Sequence, residues 1–488
     1  MISHNITLNM SDTMNNQKKI SDMNKLELLG KCKEYGIKNC SSKNKPQLIE
    51  LINNYISNEL VPITNTNKNT IITSTELIKH ENENENDQSF KFIDLFCGIG
   101  GFHQALTNIK GECVFACDIN ADCRKIYEQN YGLKPVGDIT KIKIDEIPPF
   151  DVLCGGFPCQ PFSKAGLQNG FKDDRGNLFF NICDIVKAHN PKYILLENVR
   201  NLASHDEGNT WKVIYENIDK LGYYTYSMPT ILNALHFNIP QNRERVIIMC
   251  KRKDLGELTD LPIIPKNYKA TLTKSIKDFI CDDNNEDKYK IQGKLKDVEF
   301  VWNEFIQLLI SHNIDVPKFP IWTDWWDNEI DEIKDEKEHL KAKLFYIKYQ
   351  SWIDKNKSFF NDHKHILINW LTTSRKNKNW FGAVRKYEWQ AGELKPDDSM
   401  NTVLWSCRGS GIRVKRCDYI PTLVAMAMTP IYGPKSRKLS PRELLRLQSF
   451  PDSFVFDEKK IYKQVGNSVN VTMIQCCADF LIFGAKLL

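Results

Sequence analysis

The sequence predicts an α/β protein built on a doubly wound, largely parallel sheet, with a smaller second domain and a helical hairpin ahead of both. Three observations carry this expectation. An apolar run at 92–96 is followed by glycines at 98, 100 and 101 and then by the helix-like stretch FHQALTNI. A second run, CVFACD at 113–118, ends in an acid, and a third, in FDVLCGG, follows GDI at 137–139. Continuous apolar runs of this kind are what strands buried on both faces look like, and glycines between strand and helix let a backbone approach a ligand. A strand, glycine loop, helix, strand and terminal acid suit a nucleotide-type cofactor whose ribose hydroxyls meet the carboxylate. No glycine stands at 103, so the full G-x-G-x-x-G pattern is missing and a dinucleotide dehydrogenase is disfavoured.

At 488 residues the chain is long enough for two or three domains, and 41% hydrophobic content supplies a core. Its 66 basic and 61 acidic residues give a net charge of +5, only a weak hint of an anionic partner. No apolar run reaches the roughly eighteen residues of a membrane span, and the N-terminal MISHNITLNMSDTMNNQKKI lacks a secretory core. An intracellular protein without a membrane partner is therefore expected. The 15 cysteines are scattered without regular spacing, which favours reduced thiols over a disulfide framework.

Taken in chain order, residues 22–57 come first. Leu26, Leu29 and Cys32, then Leu48, Ile49, Leu51 and Ile52, fall at helical spacing around Gly36 and a polar turn. This predicts a helical hairpin, and its Leu-rich first helix, YGI turn and KNKPQLIELI second helix resemble a SAP module, a short DNA-binding unit; a hairpin for protein contact is the other reading. Residues 58–88, ending in HENENENDQ, are too polar to fold alone and read as a disordered linker. Beyond the glycine loop, Asp118 closes the second strand and Asp138 is expected at the end of another, facing the same crevice.

The stretch DVLCGGFPCQPFSKAG at 151–166 places Cys159 in a loop stiffened by Pro158 and Pro161 after a strand. No C-x-x-C partner lies nearby, so no metal is expected, and an inert buried thiol fits poorly with so exposed a turn. A nucleophile suits the position.

DLFCGIGGF, GGFPCQPFS, LLENVRNL at 195–202, QNRERV at 241–246, SPRELLRLQSFPDSF at 440–454 and QVGNSV at 464–469 together resemble the DNA cytosine-5 methyltransferases, in the family's order. NLASHDEGNT at 201–210 points to the bacterial restriction-modification type. The resemblance implies a Rossmann-like S-adenosylmethionine-dependent methyltransferase domain at 89–270, completed by 460–488, and a target-recognition domain at 271–459. It implies that Cys159 attacks carbon 6 of a flipped cytosine, that Glu197 protonates or hydrogen-bonds N3 with a proton held through burial or substrate, and that Arg243 and Arg245 clamp the base, its phosphate and the nucleophile loop. Both arginines are expected on one face of a strand, at alternate positions. For the cofactor, the resemblance assigns Phe96, Gly98 and Gly100 to the methionine and ribose side, Asp118 to the ribose, Asp138 and Ile139 to the adenine, and Asn467, Ser468 and Val469 to closure of the pocket. Asp118 stands where many relatives carry Glu.

Between roughly 271 and 439 the resemblance thins. FPIWTDWWDNEI and WFGAVRKYEWQAGE are aromatic-rich and read as core, and DNEIDEIKDEKEHLKAKLFYIKYQSWI reads as a long charged helix. WSCRGSGIRVKRCDYIPTLVA combines Arg408, Arg413, Lys415 and Arg416 with glycines, as a surface against DNA would. Duplex DNA is the expected partner, a cognate restriction endonuclease a further one, and a monomer the expected state. Transfer RNA as the methyl acceptor, or a DNA-binding protein without catalysis, are the rival readings; the recognition region and hairpin favour duplex DNA, and the intact PCQ, ENV and RER set favours catalysis.

Overall fold

A computed structural model describes residues 24–34, 44, 45, 48, 49, 52, 89–158, 178–262, 272–281, 286–327, 335–424 and 429–488. The chain divides into two compact units, Met1–Asn86 and Asp87–Leu488. In the first, the helix Lys25–Glu34 begins at a reciprocal cap: Glu27 N donates to the Asn24 side chain at 3.1 Å, and Asn24 N donates to the Glu27 carboxylate at 2.8 Å. Leu28 and Cys32, one turn apart, are buried, as are Leu48 and Ile52. The turn of the expected hairpin and the linker lie outside the described residues.

The second unit opens with the predicted alternation: β1 (Phe90–Leu95), α1 (Gly101–Thr107), β2 (Gly111–Cys117), α2 (Ala121–Tyr131), β3 (Val152–Gly156), α3 (Leu178–His189), β4 (Tyr193–Val199), α4 (Asn209–Lys220), β5 (Tyr223–Tyr224), β6 (Thr230–Asn233), β7 (Gln241–Asn242) and β8 (Glu244–Arg252). The sheet order is β2-β1-β3-β4-β8-β5, with β6 also on β8. β1 to β4 run parallel, and β8 joins β4 antiparallel. Successive residues of β1 serve opposite faces. Phe92 enters the core beneath the C-terminal helix, while Ile93 and Leu95 enter the core with Ile182 and Val186 of α3. Strand order reverses between β1 and β3, so the crevice at their carboxyl ends is where such sheets take ligands.

A second sheet follows from α5 (Lys294–Ser311), β9 (Ile321–Trp322), α6 (Glu336–Asp362), α7 (Lys364–Arg375), β10 (Lys386–Trp389), β11 (Leu404–Arg408), β12 (Gly411–Lys415), β13 (Ile420–Pro421), β14 (Ile431–Tyr432) and β15 (Arg437–Lys438), in the order β15-β14-β11-β12-β10-β9. β13 instead pairs with β7, stitching the second sheet's chain to the first. The aromatic stretches are core: Trp302 of α5 stacks on Tyr387 of β10 at 4.3 Å, among Trp326, Trp370, Trp380 and Trp405. The expected charged helix is α6, kinked at Tyr349.

The first core takes residues from well before 460: Leu404, Ile420, Leu423, Tyr432 and Leu439 belong to it, and Leu444, Leu445, Leu447, Phe450 and Phe454 pack there with Val465 and Ile474. The reason is visible in SPRELLRL, where Ser440 and Glu443 form a capping box for α8 (Pro441–Leu447) and its leucines fall on one helix face. Helices α9 (Ile461–Asn467) and α10 (Val471–Phe483) complete the unit. Among the described residues, no helix is long and apolar enough to cross a membrane.

Candidate active site

The glycine loop leaves β1 through Phe96, Gly98 and Gly100, all at positive φ (55°, 53° and 88°). A Cβ at Gly100 would stand 2.1 Å from the Tyr131 ring, whose hydroxyl donates to the Gly100 carbonyl at 2.9 Å, so glycine is obligatory there. Opposite, a Cβ at Gly101 would meet Val469 Cγ2 at 2.6 Å and Ser468 Oγ at 2.8 Å. The far C-terminus therefore closes over the loop, with Ser468 and Val469 buried and Asn467 exposed. Asp118 follows β2, and its two carboxylate oxygens accept from Gly98 N at 2.8 Å and Asn120 N at 2.7 Å. Burial raises its pKa, and those two amides oppose the rise. Each oxygen keeps a lone pair for a hydroxyl donor.

Asp138 ends no strand. Only an isolated bridge, Val136 to Cys117, precedes it, and its side chain caps a short 3-10 turn by accepting from Thr140 N and Thr140 Oγ1 at 3.0 and 2.8 Å. The GDIT sequence explains this, since an aspartate before a turn bonds its own backbone two residues on. Ile139 beside it is buried.

Behind the loop lies a polar cluster that the sequence did not reveal. Asp94 of β1 is fully buried beside Tyr127 and the His103 backbone, and burial raises it well above the usual carboxylate range. His103 bonds Tyr127 Oη through Nδ1 at 2.7 Å and stacks on Tyr131, with ring centroids 3.8 Å apart; burial lowers its pKa to about 4.

At the neighbouring strand ends, Glu197 of β4 lies opposite Gly156 of β3, whose chain leads within three residues to Cys159. Cys159 itself lies outside the described residues. Glu197 is 8% exposed, and Arg245 Nε lies 2.7 Å from its carboxylate. Asn198, also unread in the sequence, donates through its buried side-chain amide to the Phe157 carbonyl at 2.9 Å, tethering the strand that enters the Cys159 loop. Cys154 is inert: fully buried, its thiol contacts the Ile93 carbonyl at 3.2 Å, and burial pushes it well above the ordinary thiol range.

Arg243 corrects an expectation. It falls between β7 and β8 and does not alternate with Arg245 along one strand, because Arg243 N turns back to the Gln241 carbonyl at 3.0 Å. Its guanidinium is 1% exposed and donates to the carbonyls of Leu423, Gly466 and Ser468 at 3.1, 3.2 and 2.6 Å. Burial lowers its pKa, with repulsion from Arg245 added and Glu197 opposing. Such a group ties its own segment to the backbone at Leu423 and at Gly466–Ser468.

Arg245 also lines a cavity of about 440 Å³ with Val199, Arg200, Glu244, Thr422 and Arg408. Arg408 leads onto the second sheet. Across β11 and β12, Ser406 lies opposite Arg413 and Leu404 opposite Lys415, which puts Arg408, Arg413 and Lys415 on one face while Ile412 and Val414 turn into the aromatic core. Arg416, one residue past that alternation, leaves the face. It forms an ion pair with the Asp398 carboxylate and donates to the Ala391 and Glu393 carbonyls at 2.7 and 2.8 Å. Among the described residues, no cluster of three or more His, Cys, Asp or Glu side chains could hold a metal ion.

Residues 90–482 match the family model for C-5 cytosine-specific DNA methylases. The chain belongs to that family. By membership it is a DNA (cytosine-5-)-methyltransferase, the class the motifs resemble. Within the family it is 31% identical over 478 residues to Type II methyltransferase M.AluI of Cellulosimicrobium cellulans, covering 79% of this chain and 90% of that protein. To Type II methyltransferase M.HpaII of Haemophilus parainfluenzae it is 33% identical over 403 residues, covering 80% and 88%. Among solved structures, the S. pombe Dnmt2 methyltransferase aligns over 81% of this chain and 99% of its own, at 18% identity and a TM-score of 0.43.

Proposed function

We propose that this methyltransferase modifies cytosine within a specific duplex DNA sequence, through a covalent Cys159 adduct on a base flipped into the 440 Å³ cavity. One observation carries the reading most: Arg245, the ion-pair partner of the buried Glu197, lines a cavity together with Arg408 of the second sheet's basic face, so the strand ends of the first sheet and a polyanion-binding surface border one space. The Cys159 thiolate adds to carbon 6, which makes carbon 5 nucleophilic. Glu197 faces N3 and supplies the proton or hydrogen bond that makes charge on the ring bearable. Arg245 keeps Glu197 aimed, and Asn198 holds the entry to the nucleophile loop. Loss of the carbon 5 proton then expels Cys159.

The donor set fits S-adenosylmethionine, which supplies an electrophilic methyl group when bound. The glycine loop runs through Phe96, Gly98 and Gly100 with open space beside Gly98, Asp118 offers acceptors to ribose hydroxyls, Ile139 with Asp138 borders the adenine side, and Asn467, Ser468 and Val469 close the far wall. Arg408, Arg413 and Lys415 face the DNA; Arg416 is left out because Asp398 already holds it. We place the protein inside the cell as a monomer, with a cognate restriction endonuclease as functional partner, as the Type II relatives suggest. The test is transfer of labelled methyl from S-adenosylmethionine to duplex DNA and, in parallel, to transfer RNA, followed by nucleoside analysis. Label in 5-methyldeoxycytidine supports the reading, and label confined to RNA or absent from both overturns it.

A further inference from the structure

The basic face of the second sheet carries more than positive charge. β10 and β12 run parallel with Glu388 opposite Arg413, and Arg413 Nε lies 3.0 Å from a Glu388 carboxylate oxygen. Gln390, two residues on, donates its side-chain amide to the other Glu388 oxygen. The pair is partly open, with the Arg413 side chain 40% exposed and that of Glu388 26%. Arg413, Arg408, Lys415, Ser406 and Gln390 line a cavity of about 100 Å³, which shares Arg408 and Pro421 with the cavity lined by Arg245.

Two features separate this arrangement from a solvated surface pair. Three cations converge where one carboxylate answers them, and burial with mutual repulsion lowers the pKa of Arg408 and Lys415, a cost that an anionic or acceptor-rich ligand relieves. Arg413 meets Glu388 through Nε, and its guanidinium carries two further nitrogens with N–H donors beside that carboxylate. Two donors beside an acceptor are the complement of one base-pair edge. In the major groove guanine shows two acceptors, N7 and O6, and its cytosine shows the N4 donor. An A·T pair would set the adenine N6 donor against the guanidinium.

Resting on the duplex-DNA reading above, we infer that Glu388 and Arg413 together read one G·C base pair of the target sequence from the major groove, with Arg408 and Lys415 on the flanking phosphates. A bidentate contact of this kind discriminates by roughly five- to a hundredfold. The experiment methylates a randomised duplex library with the full chain and with Glu388→Gln and Arg413→Lys, and sequences the methylated cytosines. Both variants should relax the same position, a G·C pair in the wild-type pattern, with the other positions retained and cofactor affinity by calorimetry within a few-fold of wild type. Arg413→Lys keeps the charge and loses the fork, so it decides alone if Glu388→Gln does not fold. An unchanged pattern, relaxation at two different positions, or a relaxed position that is A·T in the wild type overturns the inference. Failure of the wild-type chain to methylate duplex DNA is the distinct result that removes the underlying reading.

Discussion

The seven-stranded sheet is buried on both faces and offers a ligand only the ends of its strands, whereas the six-stranded sheet buries one face against tryptophans and leaves the other partly open at Glu388 and Arg413, with Leu404 and Tyr432 packed on the first core. Strand ends hold a few groups in fixed relation, as Glu197, Arg245 and Asn198 are held, because each is anchored by a strand buried on both sides. An open sheet face presents side chains at the spacing of a ladder, as Arg413, Glu388 and Ser406 are presented, and these can change without disturbing the core behind them. Reaction chemistry suits the first arrangement and reading of an extended polymer the second.

The contrast breaks most easily at its catalytic side. Glu197→Gln and Arg245→Ala are expected to lower kcat by about a hundred- to ten-thousandfold with cofactor affinity within a few-fold of wild type, measured by single-turnover methyl transfer and calorimetry. A variant that loses cofactor binding and activity in parallel would place the pair in the cofactor pocket instead.

Next in size is Arg243, which joins the two regions through Leu423, Gly466 and Ser468. Arg243→Met strands those carbonyls and should destabilise the chain by about 2–4 kcal/mol in denaturant titrations, loosening the cofactor wall at Ser468 with it. Wild-type stability with weakened DNA binding would restore it to the substrate.

His103 sharpens the comparison through pH. Its folded pKa of about 4 lies below the ordinary 6.5, so the folded chain keeps it neutral while the unfolded chain takes up a proton. The stability it contributes is complete above pH 6.5 and is lost as pH falls towards 4, up to about 3 kcal/mol from this group. His103→Gln should flatten that part of the pH–stability curve, and an unaltered curve would contradict the buried neutral ring.

The smallest effect separates two adjacent cations. Lys415→Ala should reduce the slope of log K for DNA against log salt by about one, while Arg416→Ala should leave the slope alone and destabilise the fold by about 1–3 kcal/mol through the stranded Asp398. Equal slopes for both variants would erase the distinction between face and back.

The two regions also differ in how much of them the sequence discloses. β1, the glycine loop and Asp118 were legible because a strand buried on both sides must be a continuous apolar run and a backbone at positive φ selects glycine. The second sheet's strands are short and half-buried, so the aromatic stretches disclosed a core without its topology. The contacts of Arg243 were not legible because its partners sit at 423, 466 and 468, a separation no local periodicity records. Arg416 could have been read: Arg413, Val414 and Lys415 alternate, and strict alternation puts 416 on the other side. Asn198 and the Asp94–His103–Tyr127 cluster left no signal, since a buried polar group declares itself only through the neighbours that folding brings to it.

Whether carbon 5 chemistry proceeds through Cys159 is tested by a duplex carrying 5-fluorocytosine at the target site. Fluorine cannot leave as a cation, so the thiol adds at carbon 6, the methyl arrives at carbon 5, and the reaction stops with protein joined to DNA. The expected adduct survives denaturing electrophoresis, requires S-adenosylmethionine, maps to Cys159 by peptide sequencing, forms normally in Cys154→Ser and is absent in Cys159→Ser. An adduct that maps to another cysteine, or persists in Cys159→Ser, would contradict it.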